Sequence, residues 1–126
     1  MAIKIKAVQK RNPQKPTEPA KWYPQAVGDG ETNLNDLAMY ASSVSTVSKA
    51  DILAVLETVL TKVTHDLSEG KIVRVGEHFT LQMGITGTPS EKEEDVTGTK
   101  VKSAHILFRP GKMLSDMIKV ATFKKK

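Results

Sequence analysis

The stretch SKADILAVLETVLTKVTHDLSEG, residues 48–70, decides how the chain is read. Ile52, Val55, Leu56, Val59, Leu60, Val63 and Leu67 recur at steps of three and four, the spacing that puts side chains on one helical face. Ser48 suits the first-turn cap, and Asp51 three residues later adds a negative charge at the positive end of the helix dipole. Gly70 supplies a residue free to turn left-handed where the helix must stop. Leu53 and Ala54 widen the apolar stripe beyond the needs of one neighbour. A helix this apolar in a short chain is expected to pack on its own domain and on a second copy.

Working outward, Thr32 or Asn33 can cap an earlier helix with Leu34, Leu37, Ala38 and Ala41 on one side, and Ser42 to Thr46 breaks it. After Gly70 the period shortens. Ile72 to Val75 and Phe79 to Met83 read as short strands around a turn or bulge at Gly76. Residues 84–99 are polar, with three glycines, Pro89 and the run Glu91-Lys92-Glu93-Glu94-Asp95, and read as a loop or ribbon tip. Lys100 to Phe108 reads as a strand with Ala104, Ile106 and Phe108 on one face. Pro110-Gly111 punctuates the chain before a short amphipathic helix built on Met113, Leu114, Met117 and Ile118.

At the start, Ile3, Ile5 and Ala7 alternate with Lys4 and Lys6, as in a half-buried strand. Pro13, Pro16 and Pro19 mark a loop, and Trp22 to Val27 resumes a strand, with Pro24 pointing to an edge. These two form a hairpin or ribbon. Residues 121–126 read as a basic tail.

The 126 residues suit one modest domain, and no apolar run reaches membrane-spanning length. The absence of cysteine excludes disulfides and thiolate metal sites. The net charge of +5 is unevenly spread. Residues 1–21 balance to +5 and residues 100–126 to +7, whereas 22–99 balance to −7. Basic ends suit a polyanion such as nucleic acid. No catalytic or metal site is expected: His65, His78 and His105 are scattered over different elements, and Glu91 to Asp95 lack ligand spacing. Nor is a cofactor or a small-molecule substrate.

The order of these elements, with Leu67-Ser68-Glu69-Gly70-Lys71-Ile72-Val73-Arg74-Val75 at the helix-to-strand junction and Phe108-Arg109-Pro110-Gly111-Lys112-Met113-Leu114 before the last helix, resembles the HU and integration host factor family of bacterial histone-like proteins. The resemblance covers residues 32–120. The leading segment, 1–31, with Asn12-Pro13 and Trp22-Tyr23, resembles Bacteroidetes HU-like proteins with an N-terminal extension. What this implies is an α+β HU-like fold: two N-terminal helices, an antiparallel β-sheet saddle and a short C-terminal helix, here with an added N-terminal β-hairpin, in an intertwined homodimer. The implied role is a non-enzymatic, architectural, nucleoid-associated protein of the cytoplasm that binds duplex DNA without marked sequence preference. The alternative is an HU-fold interaction or structural module that has lost DNA binding.

For DNA contact, Arg109, Gly111 and Lys112 lead. Amide groups at the start of the last helix, with its dipole, make an anion site, and the two side chains add charge. Arg74, Lys100 and Lys102 are expected on strands beside them, and Lys4 and Lys6 join if the N-terminal ribbon shares that surface. Arg11-Asn12-Pro13 repeats the tripeptide of the family's arm tip in the N-terminal loop, so Arg11 is a further candidate; the simpler reading is that Asn-Pro opens a turn. Two departures from the family pattern stand out. Glu77-His78-Phe79 replaces its glycine–phenylalanine corner, and Thr88 to Val96, where basic residues should flank the wedge proline, is acidic. The clamp-and-wedge action is therefore not carried over.

Overall fold

A computed structural model describes residues 2–126. Its elements run β1 (Ile3–Lys10), β2 (Lys21–Ala26), α1 (Leu34–Ser43), α2 (Lys49–Ser68), β3 (Val73–Val75), β4 (Phe79–Gly87), β5 (Val101–Pro110), α3 (Lys112–Val120) and β6 (Phe123–Lys125). The fold is mixed α+β, with three helices and two three-stranded sheets among the described residues.

The central helix begins and ends as its residues dictate. The Ser48 hydroxyl accepts the Asp51 amide at 3.2 Å. At the other end Gly70 takes φ +84°, the Gly70 amide donates to Leu67 and the Lys71 amide to Asp66. That pair of bonds is the Schellman arrangement, and it satisfies carbonyls the last turn would leave open. Side chains reinforce the same end: Lys62 Nζ lies 2.9 Å from Asp66 Oδ1 and His65 Nε2 lies 2.8 Å from Glu69 Oε1, both at the i,i+4 spacing.

The Asp66 carboxyl is held below the ordinary carboxylate range, chiefly by the Lys62 hydrogen bond, with the charges of Lys62, Lys71 and His65 adding to it against the opposing effect of partial burial. A depressed carboxyl stabilises the fold above its unfolded pKa, and that contribution disappears as pH falls through the lowered folded value. Asp66→Asn is therefore expected to lower the urea midpoint at neutral pH. The gap from the parent protein should close on acidification below 3.8, the ordinary value for the group. An Asn variant equally weaker at both pH values would assign the effect to packing.

Two compact units divide the chain, Met1–Asn33 with Ile118–Lys126, and Leu34–Met117. In the first, the strand order is β2-β1-β6. β1 and β2 are antiparallel, with Ile5 opposite Ala26 and Lys10 opposite Lys21. Pro24 lies on an edge strand, as its missing amide requires. β6 runs parallel to β1, pairing Ile3 with Phe123 and Ile5 with Lys125. Residues 123–125, expected in a free basic tail, are thus a sheet strand. The connection between β1 and β2 opens on an Asx turn, with the Gln14 amide on Asn12 Oδ1 at 3.0 Å.

In the second unit the order is β3-β4-β5, all antiparallel. Gly76, at φ +53°, turns β3 into β4. β4 continues to Gly87, four residues beyond the expected strand, because Ile85 and Thr86 keep pairing with Ala104 and Ser103. The excursion is therefore residues 88–100, and it contains two short 3-10 turns, Glu93–Asp95 and Gly98–Lys100.

Alternation sorts this sheet into two faces. Phe79, Leu81, Met83 and Ile85 share one with Ala104, Ile106 and Phe108. The Phe79 and Phe108 rings sit 5.7 Å apart at 34°, within the range of favourable aromatic pairs. Ala38 and Leu67 are the only buried hydrophobic residues among those described. On α2, Ile52, Leu53, Leu56 and Val63 are half-buried, while Val55, Val59 and Leu60 face solvent. Leu37, expected on the inner side of α1, is also exposed. No helix among the described residues is long and apolar enough to cross a membrane.

Candidate nucleic-acid interface

The polar face of the second sheet is the candidate site. Cross-strand register aligns Arg74 with Thr80 and Thr80 with Arg109. The two arginines thus flank Thr80 in a single row, about 10 Å apart at two strand spacings. Gln82 and Leu107, Gly84 and His105, and Thr86 and Ser103 continue the face along β4 and β5. The Thr86 and Ser103 hydroxyls bond each other at 2.5 Å. The His105 ring lies over Gly84, where a side chain would collide with it. None of the three strands carries a carboxylate side chain. Glu77, in the turn before β4, is the acid nearest in sequence to the arginine row.

Lys112 opens α3 immediately beyond β5. Two of the amides there are engaged. The Gly111 amide donates to the His78 carbonyl at 2.8 Å and the Met113 amide to the Glu77 carbonyl at 3.2 Å. The β3–β4 turn thus occupies two of the donors expected at this helix start. Gly111 has a structural reason instead, since a Cβ there would fall on the backbone of Glu77 and His78. What remains available at this corner is the side-chain charge of Arg109 and Lys112, both exposed.

Two other expectations change. Lys100 is not on a strand but ends the second 3-10 turn, where its carbonyl accepts the Thr88 amide at 3.0 Å. Lys102 falls at the register break opposite Thr86 and Gly87. Both lie at the far end of β5 from Arg109, roughly 25 Å away at the strand rise, so they are not beside the arginine row. Lys4 and Lys6 lie on β1 in the other unit, where Lys4 Nζ meets Asp29 at 3.2 Å. Arg11 lies in the β1–β2 connection and is exposed.

Arg74 joins Arg109 only through the pairing of three strands, which no local pattern in the sequence records. The available signal was alternation, because Thr80, Gln82, His105 and Arg109 share the parity that points away from the phenylalanines.

The family model described as HU domain fused to wHTH, Ig, or Glycine-rich motif, HU-HIG, matches residues 1–125. The chain belongs to the HU-HIG family. This agrees with the resemblance carried by the two junction motifs, and the match also takes in the leading β-ribbon. A solved structure from Bacteroides vulgatus, described as a candidate bacterial DNA-binding protein, superposes with a TM-score of 0.69 at 14% identity. The superposition covers 98% of this chain and 48% of that one, so the HU-HIG chain spans about half the length of that neighbour. At such identity the likeness is one of fold. A comparison with curated proteins finds no match.

Proposed function

We propose that this HU-HIG chain binds duplex DNA as a homodimer, through phosphate contacts and without marked sequence preference, in the architectural role of a nucleoid protein. The observation that carries the reading is the Arg74–Thr80–Arg109 row on an acid-free polar sheet face, with Lys112 next to it. Arginine and lysine on a strand surface suit backbone phosphates, which supply affinity without base readout. Membership of an HU family and the DNA-binding description of the Bacteroides neighbour support the same partner.

Exposure supports the dimer. Large apolar side chains of the second unit, among them Val55, Val59, Ile106 and Phe108, are exposed in the single chain. A second copy laid on such surfaces completes a core that one chain lacks.

The excursion at 88–100 argues for a departure from the family's wedge. Pro89 lies just beyond β4, followed by Glu91 and the acidic turn Glu93–Asp95. Phosphate would repel this tip, so the expected contact is on the sheet face and not through an intercalating arm. The same acidic tip favours the second reading, an interaction module without DNA.

Titration of random duplex DNA at increasing salt separates the two. Three cations in each of two copies predict a slope of log K on log salt of about −5. Arg74→Gln with Arg109→Gln should flatten it by roughly three to four units. No binding by the parent protein at low salt would end the DNA reading.

A further inference from the structure

The two units differ in charge. Leu34–Met117 holds nine lysines and arginines against eleven carboxylate side chains, a balance of −2. The other unit holds ten against three, a balance of +7. The entire positive balance of the protein therefore resides in the unit built from the two ends of the chain.

Strand register concentrates that charge further. Lys6 faces Gln25, Val8 faces Tyr23, Lys10 faces Lys21, and Lys4 faces Lys124. Since paired residues share a face and alternate residues change sides, Lys4, Lys6, Lys10, Lys21 and Lys124 lie on one face of the first sheet. The opposite face carries Ile3, Ile5, Ala7, Trp22, Pro24 and Phe123, with Lys125. No strand of this sheet carries an acid. Of the five lysines, Lys4 is half-buried and paired with Asp29, and the other four are exposed. Glu18 borders the Lys10 and Lys21 end of this face, but its carboxylate is engaged by Lys15 at 3.6 Å.

We propose that this lysine face is a second phosphate-binding surface for duplex DNA, distinct from the arginine row and centred on Lys6, Lys10, Lys21 and Lys124. The inference rests on the DNA-binding reading above and extends it to a unit that the reading does not need. Like charges crowded on adjacent strands destabilise a sheet unless a counter-charge covers them. A row of phosphates is a counter-charge of the right extent. Lysines at i,i+2 spacing recur about every 7 Å along β1, and flexible ammonium groups follow a phosphate backbone as point charges without needing bidentate geometry. The face suits nucleic acid better than a lipid surface. Membrane-surface binding needs several bulky apolar side chains beside the lysines; here Trp22 and Phe123 are on the other side of the sheet, and on the lysine face Val8 is half-buried and the exposed Tyr23 ends in a polar hydroxyl.

The test uses the full chain and random duplex DNA. Replacing Lys6, Lys10, Lys21 and Lys124 together by glutamine should lower affinity on the order of a hundredfold at physiological salt. It should also flatten the salt slope by about three to four units per protomer, the parent slope being steeper by that amount than Arg74, Arg109 and Lys112 alone predict. The fourfold lysine-to-arginine variant keeps the charge and should keep the parent slope. If the glutamine variant binds like the parent while Arg74→Gln with Arg109→Gln loses affinity, the second surface is refuted and the DNA reading stands. If the arginine variant also loses affinity, the effect is structural and the proposal falls. If the glutamine variant keeps its DNA affinity but no longer co-sediments with phosphatidylserine vesicles, the face is a lipid surface and the proposal falls. If the parent itself fails to bind at low salt, the DNA reading falls first.

Discussion

Gly111→Ala is expected to destabilise the protein by about 3–5 kcal/mol. The reason is a close approach of backbone to backbone. A Cβ at position 111 would occupy the space of the Glu77 carbonyl and press on the carbonyl carbon of His78. Neither group can swing aside as a side chain could. Relief requires opening the β3–β4 turn, which is itself closed by the His78 amide on the Val75 carbonyl at 2.9 Å. Overpacking alone costs about 1–3 kcal/mol. Separating the turn from α3 also gives up the Gly111–His78 and Met113–Glu77 hydrogen bonds, at about 1 kcal/mol each. Gly84→Ala is the control, because its added methyl meets only the His105 imidazole, which can rotate away. That variant should change stability by less than about 1 kcal/mol. Urea unfolding at equal protomer concentration reads both. A Gly111→Ala protein as stable as the parent would mean that the turn and the helix start do not meet as described.

The second large effect is expected from Val59→Asp. Val59 is 52% exposed in the single chain, on the same solvent-facing stripe as Val55 and Leu60. On a monomer, a carboxylate there would be solvated and harmless. In a two-fold dimer closed through α2, the substitution acts twice and brings two like charges into an apolar contact. An uncompensated buried charge costs several kcal/mol, so the dissociation constant should rise by at least about a thousandfold. Because Ala38 and Leu67 are the only buried hydrophobics among the described residues of the isolated chain, the released protomer should also lose its cooperative unfolding transition. Light scattering across a dilution series, with far-UV circular dichroism on the same samples, measures both. An unchanged mass, or a parent protein already monomeric at micromolar concentration, would remove the dimer from the proposed function.

The two predictions differ in how far the sequence could lead to them. Val59 stands in a run whose period is visible from Ile52 to Leu67, and an apolar stripe wider than one neighbour needs already points to a second copy. Gly111 was read as a phosphate-contact glycine, because proline followed by glycine before a helix is a local pattern that fits an anion site. The carbonyl that requires a glycine there comes from Glu77, thirty-four residues earlier, and no local pattern records that approach. Lys100 and Lys102 were grouped with Arg109 on shared charge, whereas the length of β5 separates them. Arg74 was ranked low, although strand pairing sets it in one row with Arg109.

By itself the sequence determined the caps and period of the central helix, the alternation of the strands, a turn or bulge at Gly76, the acidic excursion and the family. Each of these depends on residues within a few positions of one another, where helix and strand periods act directly. Tertiary structure alone decided that the final basic residues form a strand beside the first, that five lysines share one sheet face, and that the amides of Gly111 and Met113 are bonded to the β3–β4 turn. Those outcomes depend on which distant segments pair. Pairing is chosen by the joint burial and hydrogen bonding of both partners, which neither segment carries alone.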